Sequence, residues 1–129
     1  MACLLVFVIM KHFLLLTVSF LIGICICLGF HQWAALPIVV AASLSGLIFS
    51  AVRWPSSSKQ DVQACGYTGA FVGMCSPSLA LTSVDVVVIS IVGTLFFTAL
   101  KQHFTGVGGK LGAIAFMAVI VVMFTTGRV

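Results

Sequence analysis

Side chains able to do chemistry are few in this chain, and their spacing limits what they can do. Asp61 and Asp85 are its carboxylates, His12, His31 and His103 its imidazoles, and Cys3, Cys25, Cys27, Cys65 and Cys75 its thiols. A metal centre needs three or four converging ligands. The three histidines fall in separate connections between apolar runs, and Cys25 and Cys27, two residues apart, point to nearly opposite sides of a helix. No Ser-His-Asp order, phosphate-cradling loop or carboxylate pair can be assembled. The expectation is a protein with no metal, no cofactor and no catalytic residue. The thiols, mostly inside apolar runs, read as small buried hydrophobes rather than as a disulfide framework.

Asp85 admits two readings. It stands at the edge of a strongly apolar run, and a carboxylate inside a membrane span often binds a cation or relays protons, because lipid makes an idle charge expensive. Thr82 and Ser83 directly before it can instead cap a helix whose first turn favours a negative side chain. The cap is the favoured reading.

The stretch GYTGAFVGMCSPSLALTS, residues 66–83, concentrates the other candidates. Hydroxyls of Thr68, Ser76 and Ser78, backbone freed around Pro77, bare backbone at Gly69 and Gly73, and Asp85 just beyond form a candidate path-lining or substrate-binding set. The glycines carry a plainer meaning as well. Gly69 and Gly73 form a GxxxG pair, Gly108 and Gly112 form another, and Gly46 shares a small-residue face with Ala42, Ser45 and Phe49. Missing side chains at this spacing let two helix backbones come close. Gly46, Gly69, Gly73, Gly108 and Gly112 are therefore the expected packing positions.

These residues need elements to hold them, and composition decides which kind. Of 129 residues, 62% are hydrophobic and 6% charged, with a mean hydropathy of +1.33. A soluble domain carries about a quarter charged residues on its wetted surface. This chain cannot cover itself that way, so its long uncharged runs are expected to face lipid. The net charge of +4 comes from Lys11, Arg53, Lys59, Lys101, Lys110 and Arg128, scattered between apolar segments rather than gathered in the dense patch that nucleic acid requires. No nucleic-acid partner is expected. The bilayer is.

The predicted architecture is an all-α, polytopic integral membrane domain covering 1–129, a bundle of four or five transmembrane helices. The spans are placed at about 12–30, 34–52, 66–83, 84–100 and 109–126. Met10, Lys11 and His12 before the first apolar run have the form of a membrane-targeting start, so either residues 1–9 precede the native start or the whole stretch forms one long, tilted helix with Lys11 snorkelling towards headgroups. No small-x-small cleavage site follows that run. His31 and Trp33 suit an interfacial belt, Pro37 a first helical turn, and RWPSSSKQD an aqueous loop.

The segment 66–83 is the weakest inserter, either a crossing broken around Pro77 or a re-entrant loop. If it crosses, Lys11, Arg53, Lys59, Lys101 and Lys110 share one side and Arg128 alone is opposite. If it re-enters, Lys101 and Lys110 change sides. The bias of basic residues to the cytoplasm favours the crossing, shielded inside the bundle, in a bacterial-type inner membrane with a cytoplasmic N-terminus. An aromatic-Thr-Gly start recurs at Tyr67 and Phe104, a faint echo of the repeats of transporters.

The functional expectation is a non-enzymatic, homo-oligomeric permease or channel-like protein moving a small solute or ion. The alternative is an accessory or assembly subunit whose small-residue faces dock another membrane protein.

Overall fold

Every apolar run becomes a helix in the computed structural model, which describes residues 1–53, 59–79, 82–103, 106 and 109–127, with the side chains of 76–79 outside that description. The order is α1 (Ala2–Trp33), α2 (Ile38–Ala51), α3 (Lys59–Leu79), α4 (Ser83–Leu100) and α5 (Lys110–Thr126). No strand occurs among the described residues. Uncharged segments without period-two alternation satisfy their backbone most simply by closing hydrogen bonds within each segment.

By length and composition two helices, α1 and α4, are apolar enough to cross a membrane. This is fewer than the four or five expected. At 14 and 17 residues, α2 and α5 are apolar but short of the roughly 20 that a straight crossing needs. The third helix carries Lys59 and Asp61 in its first turn.

The opening helix, at 32 residues, is about 48 Å long. Residues 1–11 are exposed, and packing begins at His12. From there Leu16, Phe20, Gly23, Ile24 and Cys27 recur every three or four positions as one buried stripe. The helix ends at a tight corner where Ala35 has a φ of +50° and the His31 ring nitrogen Nδ1 lies 2.9 Å from the Leu36 carbonyl. Pro37 then serves as the N-cap of α2.

Two expectations for the third helix need correction. It begins at Lys59 rather than near 66, and it continues through position 77 to Leu79 without the expected break. The early start has visible causes. Asp61 complements the positive end of the helix dipole, Val62 and Cys65 are fully buried, and the Gln63 amide donates to the Phe49 and Ser50 carbonyls at the C-terminus of α2, both at 3.3 Å. The unbroken end has a geometric reason. A proline two residues from a helix terminus removes one i→i−4 bond and leaves almost no helix beyond it to deflect.

The helices alternate in direction. Along α1 and α3, His12 meets Asp61, Phe20 meets Gly69 and Cys27 meets Gly73, so these two run parallel. Gly46 meets the Tyr67 ring and Phe49 meets Gly66, so α2 runs against them, as α4 does. The third helix contacts all four others and α1 is its main partner. Its modest hydropathy is thus paired with a shielded position. Phe20 is the pivot of the core: Gly69 from α3 meets its carbonyl, and Gly93 from α4 meets its ring. Ile89, Phe97, Ile114, Ala118 and Val122 from α4 and α5 complete that core. Ser45, Gly46 and Phe49 of α2 are buried as their spacing suggested, with Ala41 in place of Ala42.

Candidate functional site

Asp85 closes a capping box. Thr82, extended at φ −79° and ψ 164°, is the N-cap of α4. The Asp85 Oδ2 accepts from the Thr82 N–H at 3.0 Å and from its hydroxyl at 2.8 Å, while the Asp85 N–H reaches the Thr82 Oγ1 at 3.5 Å. The side chain is buried, with the residue 6% exposed. A short hydroxyl followed three residues later by an acid satisfies two otherwise unbonded N–H groups at once. This is the local role that the sequence favoured.

Of the other members of the path-lining set, those whose side chains are described are taken up by contacts inside the bundle. Thr68 is fully buried, and its hydroxyl donates to the Ala64 carbonyl one turn back at 2.8 Å. Gly69 and Gly73 press on α1: a Cβ at 69 would overlap the Phe20 carbonyl, and one at 73 would lie 2.8 Å from the Cys27 Cβ. Ser76, Pro77 and Ser78 lie on the last turns of α3, and their side chains fall outside the described residues. Asp85 heads the next helix, so the set is spread along one protein-facing helix and one cap.

Among the expected packing positions, Gly46, Gly69 and Gly73 sit in tight contacts. Gly112 faces open space, and Gly108 lies outside the described residues.

Hydroxyls elsewhere behave like Thr68. Ser90, Thr94 and Thr98 form a stripe along α4, each donating to the carbonyl four residues back at 2.6 to 2.8 Å. The i+4 spacing of this stripe is a signal in the sequence that the expected site did not include. Among the described residues no buried side-chain nitrogen or oxygen lacks a hydrogen-bond partner. These helices satisfy their polar groups internally, and such groups add little to a path.

A second cluster was missed altogether. Asp61 in the first turn of α3 accepts from Lys101 Nζ at 2.5 Å, and His12 Nε2 lies 3.4 Å from the same oxygen. Three helices are tied at one end of the bundle. By the alternation of helix directions, Lys11, Arg53, Lys59, Lys101 and Lys110 all belong to that end. Asp61 is the one carboxylate there, because Asp85 starts a helix at the opposite end.

Beside this cluster a cavity of about 800 Å³ opens between α3, the end of α4 and the start of α5. Its rim carries Gln60, Asp61, Lys101 and Lys110, and its walls are Ala64, Phe71, Phe97 and Leu111 with bare backbone at Gly109 and Gly112. From Gln60 to Phe71 it follows α3 for about 16 Å. Charge at the mouth and apolar walls beyond suit a molecule with one polar end.

Of the imidazoles, His12 faces Asp61 and His31 the corner before α2, so these two occupy opposite ends of the packed part of α1. Cys27 and Cys65 are buried, and no disulfide links any of the five cysteines.

No family model matches the chain, and no curated protein or solved structure matches it either.

Proposed function

We propose that this is a polytopic integral membrane protein whose five helices all stand in the bilayer, with the end bearing Lys11, Arg53, Lys59, Lys101 and Lys110 on the cytoplasmic side. Its role is that of a non-catalytic subunit that docks a membrane partner through its outer helix faces. One observation carries the choice of role over a transport path along α3. The hydroxyl of Thr68 and the bare backbone of Gly69 and Gly73 are consumed by contacts within α3 and with α1. The outward residues Val39, Leu47, Leu95, Phe116 and Phe124 are large, apolar and exposed, as lipid or a membrane partner would require.

The short helices fit this reading when the protein is taken as a whole. A crossing shorter than the hydrocarbon thickness is accommodated by local thinning of the bilayer or by association. The least apolar helix is the one enclosed by the other four. The five-to-one distribution of basic residues supports the orientation.

A permease assembled from several copies is the second reading. It is favoured by the cavity at the cationic end, which would serve as a vestibule reaching as far as Phe71.

Native mass spectrometry of the protein purified in mild detergent separates the two. Stoichiometric co-purification of a different membrane protein supports the subunit reading. A defined homo-oligomer that moves a solute or ion in proteoliposomes overturns it in favour of the permease. Cysteine labelling near Thr126 tests the orientation, which predicts modification from outside the cytoplasm.

A further inference from the structure

Charge and apolar surface meet in the cavity at the cationic end, and its electrostatics can be followed residue by residue. Asp61 is engaged by Lys101 and His12, leaving Lys110 without a carboxylate partner among the described residues. Lys110 is also the first residue of α5, and the N-cap before it, Gly109, offers no side chain to the helix. The first backbone bond of that helix runs from Ala113 N–H to the Gly109 carbonyl, so the amides of Lys110, Leu111 and Gly112 have no partner within the helix. No acidic side chain occupies its first turn. A lysine beside a positive helix end complements the charge of a phosphate.

Phosphate alone does not account for the rest of the cavity. Below the rim the walls are Ala64, Phe71, Phe97 and Leu111, and Gly112 leaves room where a side chain would intrude, with no atom within 4 Å of a Cβ built there. The groove between α2 and α3, lined by Val39, Tyr67 and Met74, offers the same apolar surface without any charge. A polar mouth continuous with an apolar trough about 16 Å long matches a headgroup joined to a chain.

We propose that the groove between α3, the end of α4 and the start of α5 binds an acidic phospholipid, its phosphate held by Lys110 at the cationic mouth and one acyl chain lying along Phe71, Phe97 and Leu111. This rests on the reading that the helices stand in a bilayer, which places the mouth at headgroup depth. Basic pockets between membrane helices on the cytoplasmic side are suited to anionic headgroups.

The test is a lipid titration of the full-length protein by native mass spectrometry, with phosphatidylglycerol against phosphatidylcholine. Phosphatidylglycerol is expected to bind preferentially, and Lys110→Gln to reduce that preference about fivefold, the effect of one lysine near an anionic surface. Gly112→Phe, placed in open space, should fold normally and block binding by filling the trough without altering charge. Arg53→Gln, at the same end of the bundle but outside the groove, should leave the preference intact.

Equal loss in Arg53→Gln and Lys110→Gln overturns the site in favour of general surface attraction, as does full binding by Gly112→Phe. Competition by inorganic phosphate at concentrations matching the lipid would assign the cavity to a soluble anion instead. Extraction of the protein from vesicles by alkaline carbonate, measured on the same preparation, would overturn the membrane reading and the lipid site together. Retention in vesicles without headgroup preference would overturn the lipid site alone.

Discussion

Gly69 and Gly73 on α3 share their sequence spacing with Gly108 and Gly112, yet Gly112 at the head of α5 has surroundings unlike those of the α3 pair. The first pair lies on the backbone of α1, where an added Cβ at 69 meets the Phe20 carbonyl. Gly112 of the second pair meets nothing within 4 Å. Spacing of this kind states only that a helix face is small. What comes to lie on that face depends on the neighbour, and here α1 fills one while a cavity borders the other.

Substitutions graded along this contrast put it at risk. Gly69→Ala should have the largest effect, destabilising by about 1–3 kcal/mol, because the atom in the way is backbone and two helices must separate to admit a methyl group. A drop in midpoint on thermal unfolding in detergent would register it. Gly73→Ala should follow at the low end of about 1–3 kcal/mol, since Cys27 Sγ can turn aside although its Cβ cannot. Were the two variants to unfold at the wild-type temperature, close approach of α1 and α3 would be wrong.

The starts of α4 and α5 extend the comparison, one capped and the other bare. Asp85→Ala should cost about 1 kcal/mol by undoing the capping box, and Asp85→Asn less, because an oxygen remains to accept from Thr82. Chemical denaturation of the two variants side by side checks the order. Asp61→Asn should weaken the end cluster by about 0.2–1 kcal/mol and in a salt-dependent way, as Lys101 there is half exposed. A stability difference from wild type that fails to shrink at high salt would contradict that assignment. Gly112→Ala should be the mildest, neutral or stabilising by up to about 1 kcal/mol, through helix propensity alone. Marked destabilisation by this methyl group would show that the head of α5 is as tightly packed as the middle of α3.

Local features were legible in the sequence. The Thr82 and Asp85 cap could be read because its partners are three residues apart and obey a fixed geometry. The buried face of α2 followed, with Ala41 in place of Ala42, from small residues at helical spacing. The start of α3 was not legible, because charge at Lys59 and Asp61 was read as the mark of a loop. A helix is a backbone state and can continue past the apolar zone when its first turn finds partners. The unbroken passage through position 77 was obscured for a related reason: a proline marks a break only where enough helix follows it. Nor could spacing reveal the contact of His12, Asp61 and Lys101, which joins residues far apart in the chain and depends on the alternation of helix directions. The cavity beside it belongs to the same class of fact, since its walls come from three helices.

The close pairing of α1 with α3 has a consequence for the order of synthesis. When α1 and α2 have left the ribosome, the surface around Phe20 and Ile24 still lacks the helix that will cover it. That slot must persist until α3 emerges. The third helix, the least apolar of the five, then finds a waiting partner whose Gly23, Phe20 carbonyl and Cys27 already match its glycines. Two fragments separated within 54–58, made in the same cell, should therefore reassemble, with residues 1–53 acting as the template on which the remainder packs.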